Sequence, residues 1–191
     1  MQRNRTGRSR WLISQRSASL WIGTSRGIRL LLSCLILVWM IVIFMFSSQS
    51  GEASMQTSGF LADPIVHWLA EKRQLQYGSQ EYQAVYDLVQ MLIRKTAHFL
   101  EYMILGGLIQ ALVLSFRDRM TLPLSLSGSS LYAASDEIHQ MLQGDRSGMI
   151  QDVLLDSCGA FAGILLGTWL LAGIRHRKEQ KNRVRGKEKC L

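Results

Sequence analysis

A long apolar run near the N-terminus restricts this chain more than any other feature. Residues 30–46 read LLLSCLILVWMIVIFMF, and Ser33 is the one polar side chain among them. A helix that is apolar all round must be covered on every side, and a chain of 191 residues is too small to enclose it. A bilayer core of roughly 30 Å takes about 20 helical residues. The run therefore predicts an integral membrane protein.

Composition excludes several other classes of protein. Apolar residues make up 48% of the chain and are clustered, and only 2 Pro and 16 Gly are present, so a disordered or collagen-like chain is disfavoured. The three cysteines, Cys34, Cys158 and Cys190, are too few and too scattered for a disulfide framework or a zinc site.

Four stretches are long enough to cross a bilayer, namely 28–48, 96–116, 120–142 and 150–174. The segment 120–142 is the least apolar, because it contains five Ser together with Pro123, Asp136, Glu137 and His139. Hydropathy alone leaves this segment in doubt. We predict an all-α integral membrane four-helix bundle, with an outer loop at 49–93.

The distribution of basic residues supports four membrane crossings, which is an even number. The first 29 residues carry seven Arg and no acid, and the tail after Ile174 carries eight Lys or Arg. Because positive residues flank the cytoplasmic ends of spans, both termini are expected in the cytoplasm. Four crossings leave 17 of the 22 basic residues inside. We therefore predict a multi-pass cell-membrane protein with basic cytoplasmic segments at 1–27 and 175–191 on either side of a membrane domain at 28–174.

Other interpretations of the basic termini stay open. The N-terminus has features of a cleaved signal peptide and of an organelle transit peptide. Its apolar run exceeds the usual length of about 7 to 15 residues in a signal peptide, and a cytoplasmic segment explains the same residues without processing. Nucleic-acid binding is disfavoured, because no fold or aromatic signal accompanies the charge. The basic tails are expected to lie against anionic lipid.

The outer loop is expected to contain two short amphipathic helices. FLADPIVHWLAEK places Leu61, Ile65 and Trp68 at helical spacing, and EYQAVYDLVQMLI does the same with apolar residues from Tyr82 to Leu92. Gly78 and Ser79 separate the two segments. The second helix is expected to continue into the membrane as one long helix.

Ionisable residues fall at one level of the predicted spans. Such groups inside a membrane segment are costly and indicate a functional site by default. With the predicted topology and a rise of about 1.5 Å per residue, all lie within roughly 10 Å of the outer interface. They are His98 and Glu101 in the second span, Asp136, Glu137, His139 and Gln140 in the third, and Asp152 and Asp156 in the fourth.

The same residues form stripes at helical spacing. Arg94, His98, Glu101 and Tyr102 share one face of the second span, and Asp136, His139 and Gln140 share one face of the third. On the fourth span, Asp152 and Asp156 continue into three glycines at intervals of four, a spacing that lets helices approach closely in lipid. This glycine face is expected to pack into the bundle and to turn both acids inward. The glycines are Gly159, Gly163 and Gly167.

Several spaced motifs resemble the VanZ-like membrane protein family. They are RKTAHFLEY, SDEIHQ, and DRSG followed by QDVLLDSCGAFAG, and FSSQSG after the first span matches the Ser-rich opening of that family. The resemblance covers roughly residues 33–172. It implies a small multi-span bacterial envelope protein with no agreed biochemical activity. Founding members are accessory proteins in resistance to glycopeptide antibiotics, chiefly teicoplanin.

The resemblance also implies which residues form the site. The matching positions are Arg94, Lys95, His98, Tyr102, Asp136, Glu137, Gln140, Arg146, Asp152 and Asp156, and Glu101 and His139 are common features of the same pattern.

Four functions are compatible with these residues. Polar pairs that only tie the helices together contribute about 0.6 kcal/mol each, and about ten groups exceed that need. A binding or accessory protein is favoured, with an envelope lipid, a lipid-linked cell-wall precursor or a glycopeptide as partner. The alternative is a membrane-embedded enzyme that uses acid/base chemistry or a metal on a lipid-linked substrate. Proton-coupled transport is disfavoured, because the inner halves of the spans are mostly apolar.

No cofactor is predicted. A divalent metal held by His98, His139 and Asp136 is a weak candidate, because no sharp ligand motif such as HExxH is present. The sequence leaves the oligomeric state and the identity of the ligand open.

Overall fold

The computed structural model describes residues 26–49, 51–116, 121–142 and 150–188, and within these ranges it contains five helices and no strand. The predicted all-α class is confirmed for this part of the chain. The helices are α1 (Arg26–Ser47), α2 (Gly51–Arg73), α3 (Gln80–Phe116), α4 (Thr121–Leu142) and α5 (Ile150–Glu188).

Three helices are long and apolar enough to cross a membrane: α1, α3, and α5 as far as Ile174. In α1 only Ile36, Ile43 and Ser47 are buried, and they lie on the side that faces the other helices. The remaining large apolar side chains of α1 are largely exposed, as Leu30 is at 67%. A helix with apolar residues on its exposed side requires lipid rather than water around it. The chain is therefore a membrane protein.

Hydrogen bonds from side chains of α1 to backbone carbonyl oxygens of α3 show the relative direction of these two helices. The Arg29 guanidinium at the start of α1 donates a 2.8 Å hydrogen bond to the Ser115 carbonyl oxygen at the end of α3 and lies over the Phe116 ring. Further along α1, the Trp39 indole donates to the Glu101 carbonyl oxygen at 2.9 Å. These two contacts show that α1 runs antiparallel to α3. Arg29 also satisfies a carbonyl that the end of α3 would otherwise leave without a partner.

Helices α3 and α5 run parallel at very short range. A Cβ atom added at Gly159 would collide with the Phe99 carbonyl oxygen, and one added at Gly163 would collide with that of Met103. The two backbones therefore touch with no side chain between them, a geometry that favours weak Cα–H···O contacts. The predicted packing of the glycine face is confirmed, with α3 as its partner.

Helix α4 turns its polar side inward. Its exposed large side chains are apolar, as Leu131 is at 72% and Ile138 at 57%. The predicted fourth span, α4, is not among the three helices that are apolar enough on average to cross a membrane, because its buried face is polar. The buried residues of α4 are Thr121, Ser125, Ser129, Ala133, Asp136, Glu137 and Gln140.

At the end of the bundle where α4 begins, buried polar side chains form a hydrogen-bonded network around Gln110 of α3. The Gln110 amide donates to Thr168 of α5 at 3.0 Å, and Ser125 of α4 donates to the Gln110 amide oxygen at 2.7 Å. Gln110 and Ser125 are fully buried. The network joins three helices, so these scattered polar residues hold the bundle together at this end.

Residues 51–95 form a helical hairpin. The prediction that its second helix continues into the membrane is confirmed, since α3 runs unbroken from Gln80 to Phe116. Gly78 has a positive φ of 80° at the turn, and the Ser79 hydroxyl accepts a hydrogen bond from the Tyr82 amide at 3.2 Å. Ser79 therefore caps α3.

The first helix of the hairpin differs from the prediction. It covers 23 residues, so it is not short. In the predicted stripe Leu61, Ile65 and Trp68 are exposed, Trp68 at 58%, whereas Leu69, which follows the same spacing, is partly buried against the hairpin core. The side that packs against α3 carries Ala62, Val66 and Ala70 instead. Small residues let the two helices approach closely. The buried face of α2 is therefore the one with the smaller side chains and not the one with the larger apolar side chains.

Helix α5 continues as far as Glu188, well beyond the predicted span end at 174. The predicted basic segment at 1–27 and the site candidate Arg146 lie outside the described residues, apart from residues 26 and 27 at the start of α1.

Candidate functional site

Five carboxyl groups lie in one region, formed by the middle of α3, the last turns of α4 and the first turns of α5. We call them the acidic cluster: Glu101, Asp136, Glu137, Asp152 and Asp156. The carboxyl group of Asp156 is within electrostatic range of the four others. Asp136 and Asp156 are only 4% and 5% exposed, so the centre of the cluster is buried. Ionisable residues from three helices thus converge, as their positions on the helix faces predicted.

One oxygen of Asp136 receives two hydrogen bonds. Ser47, at the end of α1, donates to Asp136 Oδ2 at 2.9 Å, and the Gln140 amide donates to the same oxygen at 3.1 Å. Gln140 also donates to the Ser47 hydroxyl at 2.6 Å. Two donors on one oxygen stabilise a carboxylate in a position where burial alone is costly.

Four buried oxygen atoms in or beside the acidic cluster have no hydrogen-bond partner within the described residues, and one of them, Glu101 Oε2, still lies 3.5 Å from His98 Nδ1. The three that have no such ion-pair contact are the Tyr102 hydroxyl, Asp136 Oδ1 and Asp156 Oδ1. Tyr102 is fully buried and lies within electrostatic range of both aspartates. Buried polar atoms nearly always have partners, so three exceptions in one place require an explanation.

Basic groups lie at the edge of the acidic cluster. The Lys95 ammonium is 2.5 Å from Asp152 Oδ1, and both side chains are about one third exposed, at 37% and 35%. His98 Nδ1 lies 3.5 Å from Glu101 Oε2, with side chains 24% and 17% exposed. Arg94 is half-buried one helical turn before His98. The positive charge is therefore nearer the surface than the paired aspartates at the centre.

His139 contacts the end of α1. Its ring centroid is 4.7 Å from that of Phe44, and its Nε2 is 3.4 Å from the Ser48 hydroxyl. Asp136 is within electrostatic range of both His98 and His139. Across residues 26–49, 51–116, 121–142 and 150–188, no three His, Cys, Asp or Glu side chains are arranged to hold a metal ion.

Sequence reasoning missed the contribution of α1. Ser47 was not among the predicted site residues, yet it is 2% exposed and bonded to Asp136. Tyr132 also joins α1, since its hydroxyl donates to the Met40 carbonyl oxygen at 2.7 Å. The signal that could have identified Ser47 is the Ser-rich motif FSSQSG. Periodicity could not, because α1 carries too few polar residues to define a face.

A family model described as VanZ/LLP1 matches residues 32–171. The match covers well over half of the chain. The chain belongs to the VanZ/LLP1 family. All residues of the acidic cluster, and Ser47 with it, lie inside the matched range, whereas most of the basic residues of both tails lie outside it. The family thus extends over the helices that form the site.

No curated protein and no solved structure matches the chain. The family match therefore supports the membrane fold and includes the helices that carry the site, whereas the chemistry of the site follows from its own residues.

Proposed function

We propose that α4 is a fourth membrane span and that both termini lie in the cytoplasm. The contacts that run α1 antiparallel to α3, together with the parallel packing of α3 and α5, support a bundle whose helices alternate in direction. The apolar exposed face of α4 supports contact with lipid. The bias of basic residues toward both tails supports the orientation. In this arrangement the acidic cluster lies near the outer leaflet.

Cysteine labelling tests the crossing of α4. In a variant without native cysteines, Ser147→Cys is expected to react with a membrane-impermeant maleimide in intact cells. Met120→Cys is expected to react only after permeabilisation, because the two positions flank α4 in the sequence and its 22 residues are enough to cross about 30 Å of bilayer. Thr57→Cys is the outside control and Lys181→Cys the inside control. Equal labelling at positions 120 and 147 in intact cells contradicts a fourth span.

We further propose that the acidic cluster binds the head group of an envelope lipid or of a lipid-linked cell-wall precursor. The observation that carries this proposal is the set of three buried oxygen atoms without partners. An unsatisfied buried polar group costs about 1 to 3 kcal/mol, and a bound head group would remove that cost. An assembly role alone does not account for it, because a helix tie needs both partners within the protein.

The position of the cluster also favours an amphiphile. Its edge, at Lys95 and Asp152, is partly exposed, and its centre, at Asp136 and Asp156, is buried. A ligand that enters from the outer leaflet would keep its acyl chains in lipid while its head group reaches the buried acids. A teicoplanin-type glycopeptide is an amphiphile too, so lowered susceptibility to such a drug is one consequence that the proposal allows.

Mass spectrometry of co-purified lipids tests the binding function. Wild-type protein purified in mild detergent is expected to retain a lipid-soluble species that Asp136→Asn loses by at least about tenfold. The substitution preserves shape but removes the charge, and tenfold corresponds to about 1.4 kcal/mol. The matched control is Asp87→Asn, an exposed aspartate in the hairpin. An identical lipid profile in all three proteins contradicts the proposal.

Acid/base chemistry on a lipid-linked substrate is the second candidate. The contact between His98 Nδ1 and Glu101 Oε2 at 3.5 Å favours it, because a carboxylate can orient a histidine that transfers protons. The same lipid extracts separate the two functions. A binding protein returns an added labelled lipid with unchanged mass, whereas an enzyme converts it to a product that His98→Gln does not form.

A further inference from the structure

The three partnerless oxygens come from three different helices. Tyr102 lies on α3, Asp136 on α4 and Asp156 on α5. Each residue is more than nine-tenths buried. The two carboxylate oxygens accept hydrogen bonds, and the Tyr102 hydroxyl can accept one as well as donate one, so a group with several donors fits all three. A primary ammonium group carries three N–H donors and no acceptor.

The negative charge of the surrounding residues also favours a primary ammonium group. Five carboxyl groups form the acidic cluster, and Lys95 at its edge is already bonded to Asp152 at 2.5 Å. An anionic group such as phosphate would be repelled from the buried centre. A divalent ion needs several ligands directed at one position, and among the described residues no three His, Cys, Asp or Glu side chains have that arrangement.

We propose that Tyr102, Asp136 and Asp156 together bind the primary ammonium group of an envelope amphiphile. This inference rests on the proposed binding function and names the class of its ligand. The ammonium group lies at the centre, and the remainder of the head group extends toward the partly exposed edge at Lys95. The bond from Ser47 to Asp136 Oδ2 orients this carboxyl so that Oδ1 is left for the ligand.

Stepwise methylation of one lipid tests the number of donors. Purified full-length protein is titrated by native mass spectrometry with phosphatidylethanolamine, its N-methyl and N,N-dimethyl derivatives, and phosphatidylcholine, all with identical acyl chains. Each methyl group removes one N–H while the positive charge is kept. Apparent affinity is expected to fall at each step and to be at least about tenfold lower for phosphatidylcholine than for phosphatidylethanolamine.

Tyr102→Phe separates binding from folding. Because its hydroxyl has no partner within the described residues, removal is expected to leave the thermal stability of the delipidated protein unchanged or slightly raised. The same change is expected to reduce the preference for phosphatidylethanolamine and the stabilisation that added phosphatidylethanolamine gives. Asp156→Asn should remove that preference, and Asp87→Asn should keep it. A delipidated Tyr102→Phe protein that is clearly less stable than delipidated wild type contradicts the assignment.

Two sources of a primary amine remain to be distinguished, a phospholipid head group and the free amine of a lipid-linked peptide precursor. The second arm of the experiment therefore compares a lipid-linked lysine-containing peptide precursor with the same precursor acetylated at its amines. Preference for the free amine over the acetylated form, combined with weaker binding of phosphatidylethanolamine, assigns the precursor. The opposite order assigns the phospholipid.

Two results overturn the ammonium site. One is equal affinity across both the methylation series and the acetylation pair, and the other is tighter binding of anionic phosphatidylglycerol than of any amine. If lipid co-purification still depends on Asp136 in either case, the binding function stands and only the ligand class is wrong. If no lipid depends on Asp136, both proposals fail.

Discussion

Gly163→Leu is expected to abolish the folded bundle. A Cβ atom at this position would already collide with the Met103 carbonyl oxygen, which is backbone and cannot rotate away. Overpacking in a dense core costs about 1 to 3 kcal/mol when side chains can adjust. A leucine between two touching backbones exceeds that range, because α3 and α5 must separate along their whole shared face. The loss would also move Asp156 away from Tyr102.

The measurement is the yield of monodisperse protein in mild detergent, followed by unfolding in mixed micelles with increasing SDS. Gly173→Leu is the matched control, since it lies on the same helix and a Cβ there meets nothing within 4 Å. This control should retain wild-type yield and midpoint. A Gly163→Leu protein with a wild-type midpoint would show that α3 and α5 do not pack through this glycine.

Ser47→Ala is expected to cost about 1.5 to 3 kcal/mol of stability, the range for a hydrogen bond to a charged group. The change removes a donor from Asp136 Oδ2 and an acceptor from the Gln140 amide. Both partners are at least nine-tenths buried, so no bulk water replaces the lost hydroxyl. Because Ser47 is the side chain of α1 that contacts Asp136, the same change also loosens α1 at the site.

A double-mutant cycle with Asp136→Asn tests whether the hydrogen bond to Asp136 accounts for the stability lost in Ser47→Ala. Ser47→Ala should cost clearly less in the Asp136→Asn background, because an amide loses less than a carboxylate when one donor is removed. Ser48→Ala is the neighbouring control: the Ser48 hydroxyl, directly after α1, donates to the Phe44 carbonyl oxygen, is more exposed, and has only a long contact of 3.4 Å with His139 Nε2. Equal costs at positions 47 and 48, or a cycle with no coupling, would count against the assigned role of Ser47.

The candidate site was predictable to the extent that it follows from helical periodicity. Asp136 and Gln140 are four residues apart, as are Asp152 and Asp156, so each pair had to share a helix face. Which oxygen is bonded and which is left without a partner depends on neighbouring helices, and periodicity contains no information about them. Ser47 shows the limit, since its partners are 89 and 93 residues away.

The helical hairpin at residues 51–95 shows a different limit of prediction from sequence. Large apolar side chains at helical spacing indicated the face with Leu61, Ile65 and Trp68, but α2 buries Ala62 and Val66. Apolar spacing identifies a face that avoids water, and in a membrane protein such a face can be exposed within the fold. The buried face is chosen by how closely the partner helix approaches.

The membrane location, the helical fold and the glycine face of α5 could all be inferred from the sequence, because apolar length and periodicity are local properties of one segment. The parallel pairing of α5 with α3, the inward polar side of α4 and the contact of Ser47 with Asp136 are known only from the packed helices. These outcomes depend on the distances between segments far apart in the chain. A side chain's burial and hydrogen-bond partners are set by those distances and not by its neighbours in sequence.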